Sequence, residues 1–442
     1  MSAAERAQER GPSVAGRLMY DAIFALFALA YLPAFFAKGK HRRGWGERFG
    51  RVPEAARAAL AGSRRLFWVH AVSVGEVALA VRLSAALRRK FAGAKVLLTV
   101  STETGWEVAR RSKAAEDVLL RFPVDFRGCV RSFADAVGPV SALVLLETEI
   151  WPNLIFEMRG RGTPVFIMNG RISDKALGQY RFARPLLGTV LGALSGVGAQ
   201  DEAMRARFVS IGVPAARVHV TGNIKFDWRP SAEISAEARA LERRLKAAGD
   251  FLCIAGSTHE GEEEMLFDMY RALRGREGRF RLLIAPRHLD RLGAVEAAAA
   301  SRNLTVRRTS VPAGEDPATD DAVWLLDRMG ILSSLYAAAD AVFVGGSLVP
   351  AGGHNLVEPA FHEKPLFFGP YMQNFREMAE VFTRARAAVQ VADAAGLERA
   401  LRDLVNDRAA ARALGTAAKR LIFEHQGATE RNLETLLAPL VT

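Results

Sequence analysis

Cysteine is almost missing from this chain. Cys129 and Cys253 are the only two in 442 residues and form no CxxC pair, which excludes a disulfide framework and leaves no cysteine site for zinc or redox chemistry. A reducing compartment fits. The glycine-rich turns contain neither GxxxxGK[ST] nor GxGxxG, so neither a P-loop nucleotide hydrolase nor a dinucleotide enzyme is supported. The eight histidines form no HExxH or similar ligand cluster, and no metal or other cofactor is expected. Glycine (38) and proline (18) stand near average usage, and nothing recurs at a period of ~20–50 residues, which removes collagen-like chains, solenoids and propellers.

What is present is a half-apolar, basic chain. Hydrophobic residues at 50% exclude disorder, and at ~100–200 residues per domain the length allows two or three domains with separate cores. Lys and Arg number 60 against 48 Asp and Glu, a net +12 that favours anionic partners. Charge alone does not choose between nucleic acid, an acidic leaflet and a phosphorylated or carboxylated substrate. The lack of a basic-aromatic RNP-like pattern argues against nucleic acid.

From Leu18 to Ala37 runs LMYDAIFALFALAYLPAFFA, twenty residues interrupted by Asp21 and Pro33. That is just enough to cross a ~30 Å hydrocarbon layer at about 1.5 Å per residue. The flank that follows, KGKHRRGWGERFGR, carries six bases and one acid, and such a cluster stays on the cytoplasmic side. A cleaved signal peptide fits poorly with Glu5, Glu9 and a basic exit. A soluble core helix remains open, as does the choice between a spanning and a partly inserted helix, because a carboxylate such as Asp21 costs ~2.5–3.5 kcal/mol at mid-membrane.

Beyond this segment, short apolar runs alternate with amphipathic stretches. Strands are expected at Leu66–Ala71, Val96–Val100, Val118–Phe122, Ala142–Leu146, Pro164–Met168, Gly196–Ala199 and Val218–Thr221, with helices such as Val77–Phe91 and Ala203–Ile211 between them. The charged, alanine-rich stretch Asp227–Asp250 breaks the pattern. It then restarts with Phe251–Ala255, Phe280–Ala285, Leu304–Val306, Val323–Leu326, Ala341–Val344, Pro365–Phe368 and Val389–Val391. The expected division is a tail and anchor at 1–40, an α/β domain at 41–227, a linker at 228–250, a second α/β domain at 251–423 and a helical tail at 424–442, with the stretch Ala394–Leu440 helical throughout and packing back across the hinge. Right-handed crossovers make each domain an open, doubly wound parallel sheet. Two such domains facing each other would form a cleft at the carboxyl ends of their strands.

The polar motifs sit where that architecture would place ligands. After the first strand comes Ser73-Val74-Gly75-Glu76, where Ser73 is a candidate N-cap and Glu76 either complements the helix dipole or serves as a general base. His70, inside the strand, reads as a core histidine. STETGWE (Ser101–Glu107) offers caps or anion-binding amides. LLETEIWPN brings Glu147 and Glu149 to a turn, of which one is expected to face the cleft. NGRIS and GNIKFD bring Arg171 and Lys225 to two further strand ends. In the second half, Gly256, Ser257 and Thr258 open a helix suited to phosphate, Arg287 follows a strand as a clamp for phosphate or carboxylate, and Gly345, Gly346 and Ser347 lead through Gly352 and Gly353 to His354, Asn355 and Glu358.

HAVSVGE, ETEIWPN, NGRIS, GNIKFD, APRH, DRMG, FVGGSL and GGHNLVEP, in this order behind RGWGERFG, resemble the bacterial 3-deoxy-D-manno-octulosonic acid (Kdo) transferases over about Leu18 to Phe423. The resemblance implies an α/β GT-B fold of two Rossmann-like domains behind an N-terminal membrane-anchor helix, located at the cytoplasmic side of the bacterial inner membrane. It implies inverting transfer of Kdo from CMP-Kdo to a lipid A precursor, with an anionic membrane surface as a further partner and no nucleic acid. Glu76 would match the catalytic base, and Glu147 and Lys225 the groups that stabilise the transition state. Pro286, Arg287, Met329, Gly330, Ile331, Asn355, Leu356, Val357 and Glu358 would match the CMP-binding stretches, joined by Ser257, Thr258 and Gly346. Ile331 departs from the glutamate expected after Met-Gly. An apolar patch ringed by Lys and Arg is expected on the first domain, with Trp45 and Phe49 as candidates. Another GT-B enzyme, using a nucleotide diphosphate sugar and a lipid-linked acceptor, is the alternative.

Overall fold

Apolar runs with no polar face become strands when both sides of the sheet are covered, and the chain meets that condition twice. The computed structural model describes residues 20–21, 44–229, 236–277, 279–311 and 322–440. Residues up to Asp227, together with the segment from Gln426, form a first unit; Trp228–His425 form a second.

In the first unit the strands are β1 (Arg65–Ala71), β2 (Ala94–Val100), β3 (Val118–Arg121), β4 (Ala142–Leu146), β5 (Val165–Gly170), β6 (Gly196–Ala199) and β7 (Val218–Val220). They lie in the order β3-β2-β1-β4-β5-β6-β7, all parallel. Side chains alternate between two cores. Trp68 enters one with Leu97, Phe133 and Leu143, whereas Phe67 and Val69 enter the other with Leu83, Leu98 and Val144. Full burial of each such side chain is worth ~1.5–3 kcal/mol, more than a helix cap at ~1, so these layers and not the turns hold the sheet together. The turns can therefore carry other chemistry.

The second unit repeats the scheme with β8 (Phe251–Thr258), β9 (Phe280–Pro286), β10 (Val306–Arg308), β11 (Val323–Leu325), β12 (Ala341–Val344), β13 (Leu366–Phe368) and β14 (Val389–Gln390). Their order is β10-β11-β9-β8-β12-β13-β14, again parallel. Each sheet therefore has one point where the strand order reverses, between β1 and β4 and between β8 and β12. Open α/β sheets bind ligands at the carboxyl ends of such a pair.

Some boundaries differ from the sequence reading. The first long helix begins at Val74, not near Val77, because Ser73 already accepts a hydrogen bond from the Glu76 N–H. The edge strand β10 starts at Val306, not at Leu304, since its one neighbour β11 aligns Val323 with Val306. Along the chain between β7 and β8, the helix Ala236–Leu245 belongs to the second unit.

The final helix, Ala428–Leu437, buries Ala428, Leu433, Leu436 and Leu437 in the first unit's core. Its N-terminus is held by Asp227, which accepts from the N–H groups of Gly427 at 2.6 Å and Ala428 at 3.2 Å, and from Thr429. The expected anchor Leu18–Ala37 lies outside the described residues except for Tyr20 and Asp21. Tyr20 Oη donates to Asp125 Oδ2 (2.9 Å), and Asp21 Oδ1 accepts from Asn153 Nδ2 (2.6 Å). Among the described residues no helix is long and apolar enough to cross a membrane.

Candidate active site

The carboxyl ends of β1 and β4 bring three acids and a lysine together. Glu76, in the first turn of the helix Val74–Lys90, is only 8% exposed. Its Oε2 accepts from the Val72 N–H (2.8 Å) and its Oε1 from the Ser73 hydroxyl (2.8 Å), while Ser73 Oγ accepts from the Glu76 N–H. This reciprocal arrangement is a capping box. Burial lifts the Glu76 carboxyl above its ordinary value; the hydrogen bonds from Val72 and Ser73 hold it back in part, and the Glu147 charge lifts it further.

Glu147 follows β4 with φ 54, a left-handed conformation that a non-glycine residue adopts only when its surroundings impose it. Its Oε1 lies 2.8 Å from Lys225 Nζ, and its Oε2 lies 4.0 Å from Arg171. Lys225 sits in the 3₁₀ turn Ile224–Asp227 after β7. That turn is tied to the end of β5, where the buried Asn169 (φ 58) accepts the Ile224 N–H at 2.8 Å. Glu149 joins the cluster: burial first, then the charges of Glu76 and Glu147, push its carboxyl up to about 8. The two glutamates of the turn thus lie within electrostatic reach of Glu76 and of each other.

The motif after β2 has structural partners. Glu103 forms a double hydrogen bond with Arg121 (2.6 and 2.9 Å), and Thr102 accepts from the Gly105 N–H. His70 is fully buried, bonded through Nδ1 to Thr99 and stacked 3.8 Å from Phe122; burial holds it down at about 3, so it stays neutral. Trp45 and Phe49 stack at 5.6 Å, and Phe49 is exposed.

In the second unit the ends of β8 and β12 meet through one buried acid. Glu262 accepts the N–H groups of Gly346 (2.7 Å), Ser347 (2.9 Å), Leu348 (2.9 Å) and His259 (2.9 Å). The Gly346 amide, expected to serve an anion, is therefore given to an internal carboxylate. Thr258 Oγ1 likewise donates to Glu263 (2.9 Å), which also binds Arg291. Ser257 is left-handed at φ 58, and its carbonyl lies so close to Gly345 that a Cβ there would come within 2.5 Å.

Around these turns, Pro286 ends β9, Arg287 is exposed with its N–H on Thr258 O (2.9 Å), and Met329 is 64% exposed. Gly330 has φ 88, and Ile331 precedes the short helix Leu332–Leu335. Asn355 accepts the Val357 N–H (3.0 Å) and donates to Glu358 (3.2 Å). Leu356 and Val357, expected to bind the nucleotide, are fully buried, and the Leu356 carbonyl and the Val357 N–H are bonded within the protein to Ala360 and Asn355.

Two residues that the sequence reading passed over matter here. Glu149 shares a turn with Glu147, and only Glu147 matched the resemblance. Asn169 lies in NGRIS, where the cation Arg171 drew attention instead. Among the described residues no group of His, Cys, Asp and Glu could hold a metal ion.

Two all-parallel α/β units, each with polar groups gathered where its strand order reverses, give the chain a GT-B-like fold. The fold is shared with the UDP-GlcNAc 2-epimerase of Neisseria meningitidis, at TM-score 0.52 and 12% identity over 85% of this chain and all of that one. The family of 3-deoxy-D-manno-octulosonic-acid transferases (kdotransferases) matches residues 43–228. The 3-deoxy-D-manno-octulosonic acid transferase of Bordetella pertussis is 34% identical over 95% of this chain and 99% of its own length. A bifunctional glycosyltransferase/methyltransferase of Fusobacterium nucleatum is 34% identical over 346 residues, and this chain spans 53% of its length. The chain belongs to the Kdo transferase family and is a glycosyltransferase.

Proposed function

We propose that the chain transfers Kdo from CMP-Kdo to a lipid A precursor of the lipid IVA type, with inversion, at the cytoplasmic face of the inner membrane. The observation that carries this reading is Glu76: a buried carboxyl of raised proton affinity at the reversal point of its sheet, beside the Glu147–Lys225 pair.

A sugar hydroxyl is a weak nucleophile, and a base whose pKa is moved toward neutrality removes its proton better than an ordinary carboxylate does. Glu76 takes that proton as the hydroxyl oxygen attacks the anomeric carbon. The bond from that carbon to the phosphate oxygen breaks, and the electron pair leaves with CMP. A single displacement inverts the centre without a covalent sugar–enzyme intermediate.

Lys225 and Glu147 form a fixed dipole that steadies developing charge without reorganising during the step. On the donor side, Arg287 supplies a bidentate fork for phosphate, and Asn355 and Glu358 supply acceptors for ribose hydroxyls. The net +12 and the basic flank after the apolar segment support location at an anionic leaflet.

The test is product analysis. Full-length protein given CMP-Kdo and a tetraacylated bisphosphorylated disaccharide releases CMP and adds the mass of Kdo to the lipid. Release of nucleotide from UDP-sugars, with none from CMP-Kdo, rejects the reading.

A further inference from the structure

Three glycine-marked turns of the second unit converge on two histidines outside the residues assigned so far. His259 follows β8, and His354 lies in the turn before the helix Val357–Phe361. Their Nε2 atoms are 2.9 Å apart and their rings stack at 5.2 Å. Gly346 (φ +65) runs against both rings: a Cβ there would lie 3.1 Å from His259 Cδ2 and 3.2 Å from His354 Cδ2. His288, next to Arg287, sets its ring 5.8 Å from that of His259.

At 2.9 Å the two Nε2 atoms hold one proton between them, one donating and the other accepting, because two Nε2–H groups would oppose each other. Among the described residues the basic groups acting on the pair are Arg287, His288 and Arg291. The nearby acids are committed elsewhere, Glu262 to four backbone N–H groups and Glu263 to Arg291, while Glu260 is exposed. Burial first, then these basic neighbours, hold His259 below the ordinary imidazole value and His354 at about 4, so by itself the pair is uncharged near neutrality. An anion that arrives to offset these cations removes their share of the shift and raises the pair's proton affinity toward that of an ordinary imidazole.

We propose that the His259–His354 pair is the proton donor to the nucleotide phosphate: it takes up one proton as the phosphate binds beside Arg287 and passes it to the phosphate oxygen when the sugar leaves. This rests on the reading of CMP-Kdo as donor. The donor's phosphodiester carries one negative charge. When the carbon–oxygen bond breaks, the electron pair stays on the oxygen and the product is a dianion. The pair's proton then returns it to a monoanion and leaves both imidazoles neutral. A phosphate monoester has a second pKa of ~6, close to an ordinary imidazole at ~6.5, so the transfer is nearly balanced in energy.

Calorimetric titration of the full chain with CMP near neutral pH, in two buffers of different ionisation heat, measures protons taken up on binding. The expected result is about one proton per CMP, following the one-proton capacity of the pair. His259→Gln and His354→Gln, which keep a polar atom near Nε2 but carry no transferable proton, lose most of that uptake, and their single-turnover transfer falls ~10²-fold. Glu76→Gln takes up the same proton as the unaltered chain. CMP binding without proton uptake, or uptake unchanged in both histidine variants, overturns the proposal while leaving the CMP-Kdo reading intact. Binding of UDP with proton uptake, and none of CMP, sinks the CMP-Kdo reading and keeps the role of the pair. The measurement on the unaltered chain decides even if a variant fails to fold.

Discussion

The Glu76 carboxylate is both a helix cap and the proposed base, and the two roles separate by substitution. Glu76→Gln keeps one cap acceptor, so its melting temperature stays close to that of the unaltered chain while turnover falls ~10²–10⁴-fold, checked by CMP release. Glu76→Ala loses the cap as well and costs a further ~1 kcal/mol in chemical denaturation. Glu149 makes a prediction in pH. With its carboxyl raised to about 8, the folded chain holds a proton there that the unfolded chain gives up near ~4.5, so its contribution to stability is full below that value and is lost as pH rises to about 8. Glu149→Gln should flatten this slope, gaining on the unaltered chain between pH 5 and pH 8 in denaturant titrations. Glu76 and Ser73 were legible in the sequence, because a capping box is a local pattern with a fixed spacing. Glu149 was not, because its proton affinity comes from burial and from charges on another strand's end.

At the scale of elements, both sites are made by turns that reach across their sheets. Asn169 at the end of β5 receives the Ile224 N–H and so fixes the turn that carries Lys225. Asn169→Gly keeps the left-handed backbone but leaves that N–H unpaired, with an expected loss of ~1–3 kcal/mol in denaturant titration and a lower kcat at unchanged CMP affinity. Glu262 does the corresponding work in the second unit, where one side chain gathers four amides from two turns. In the sequence it stands in a run of glutamates, Glu262 to Glu264, and nothing local sets it apart from any first-turn acid. Most strands were readable to within two residues because continuous Val, Leu and Ile runs bounded by glycine are a local signal; β8 runs three residues past its expected end, and the edge strand β10 slipped by two residues because a single neighbour sets its register.

At the scale of the whole molecule, the chain closes its first unit with its last helix. Truncation after His425 removes Leu433, Leu436 and Leu437 from that core and should cost ~5 kcal/mol or more from the leucines alone. Denaturation followed by a probe in the first unit should shift to lower denaturant. The helical character of the segment was evident in the sequence, but not that Asp227 caps it.

Local pattern, by itself, determined where the strands run, that there are two parallel sheets, and that polar, glycine-marked turns lie at their carboxyl ends. Periodicity and turn chemistry act over a few residues, so they survive in a linear reading. The folded arrangement alone decided which of those turns meet: Glu149 with Glu76 and Glu147, Asn169 with the turn of Lys225, and His259 with His354. Proton affinity, ion pairing and burial depend on distance through space, and the groups that set them are brought together only when the sheets close.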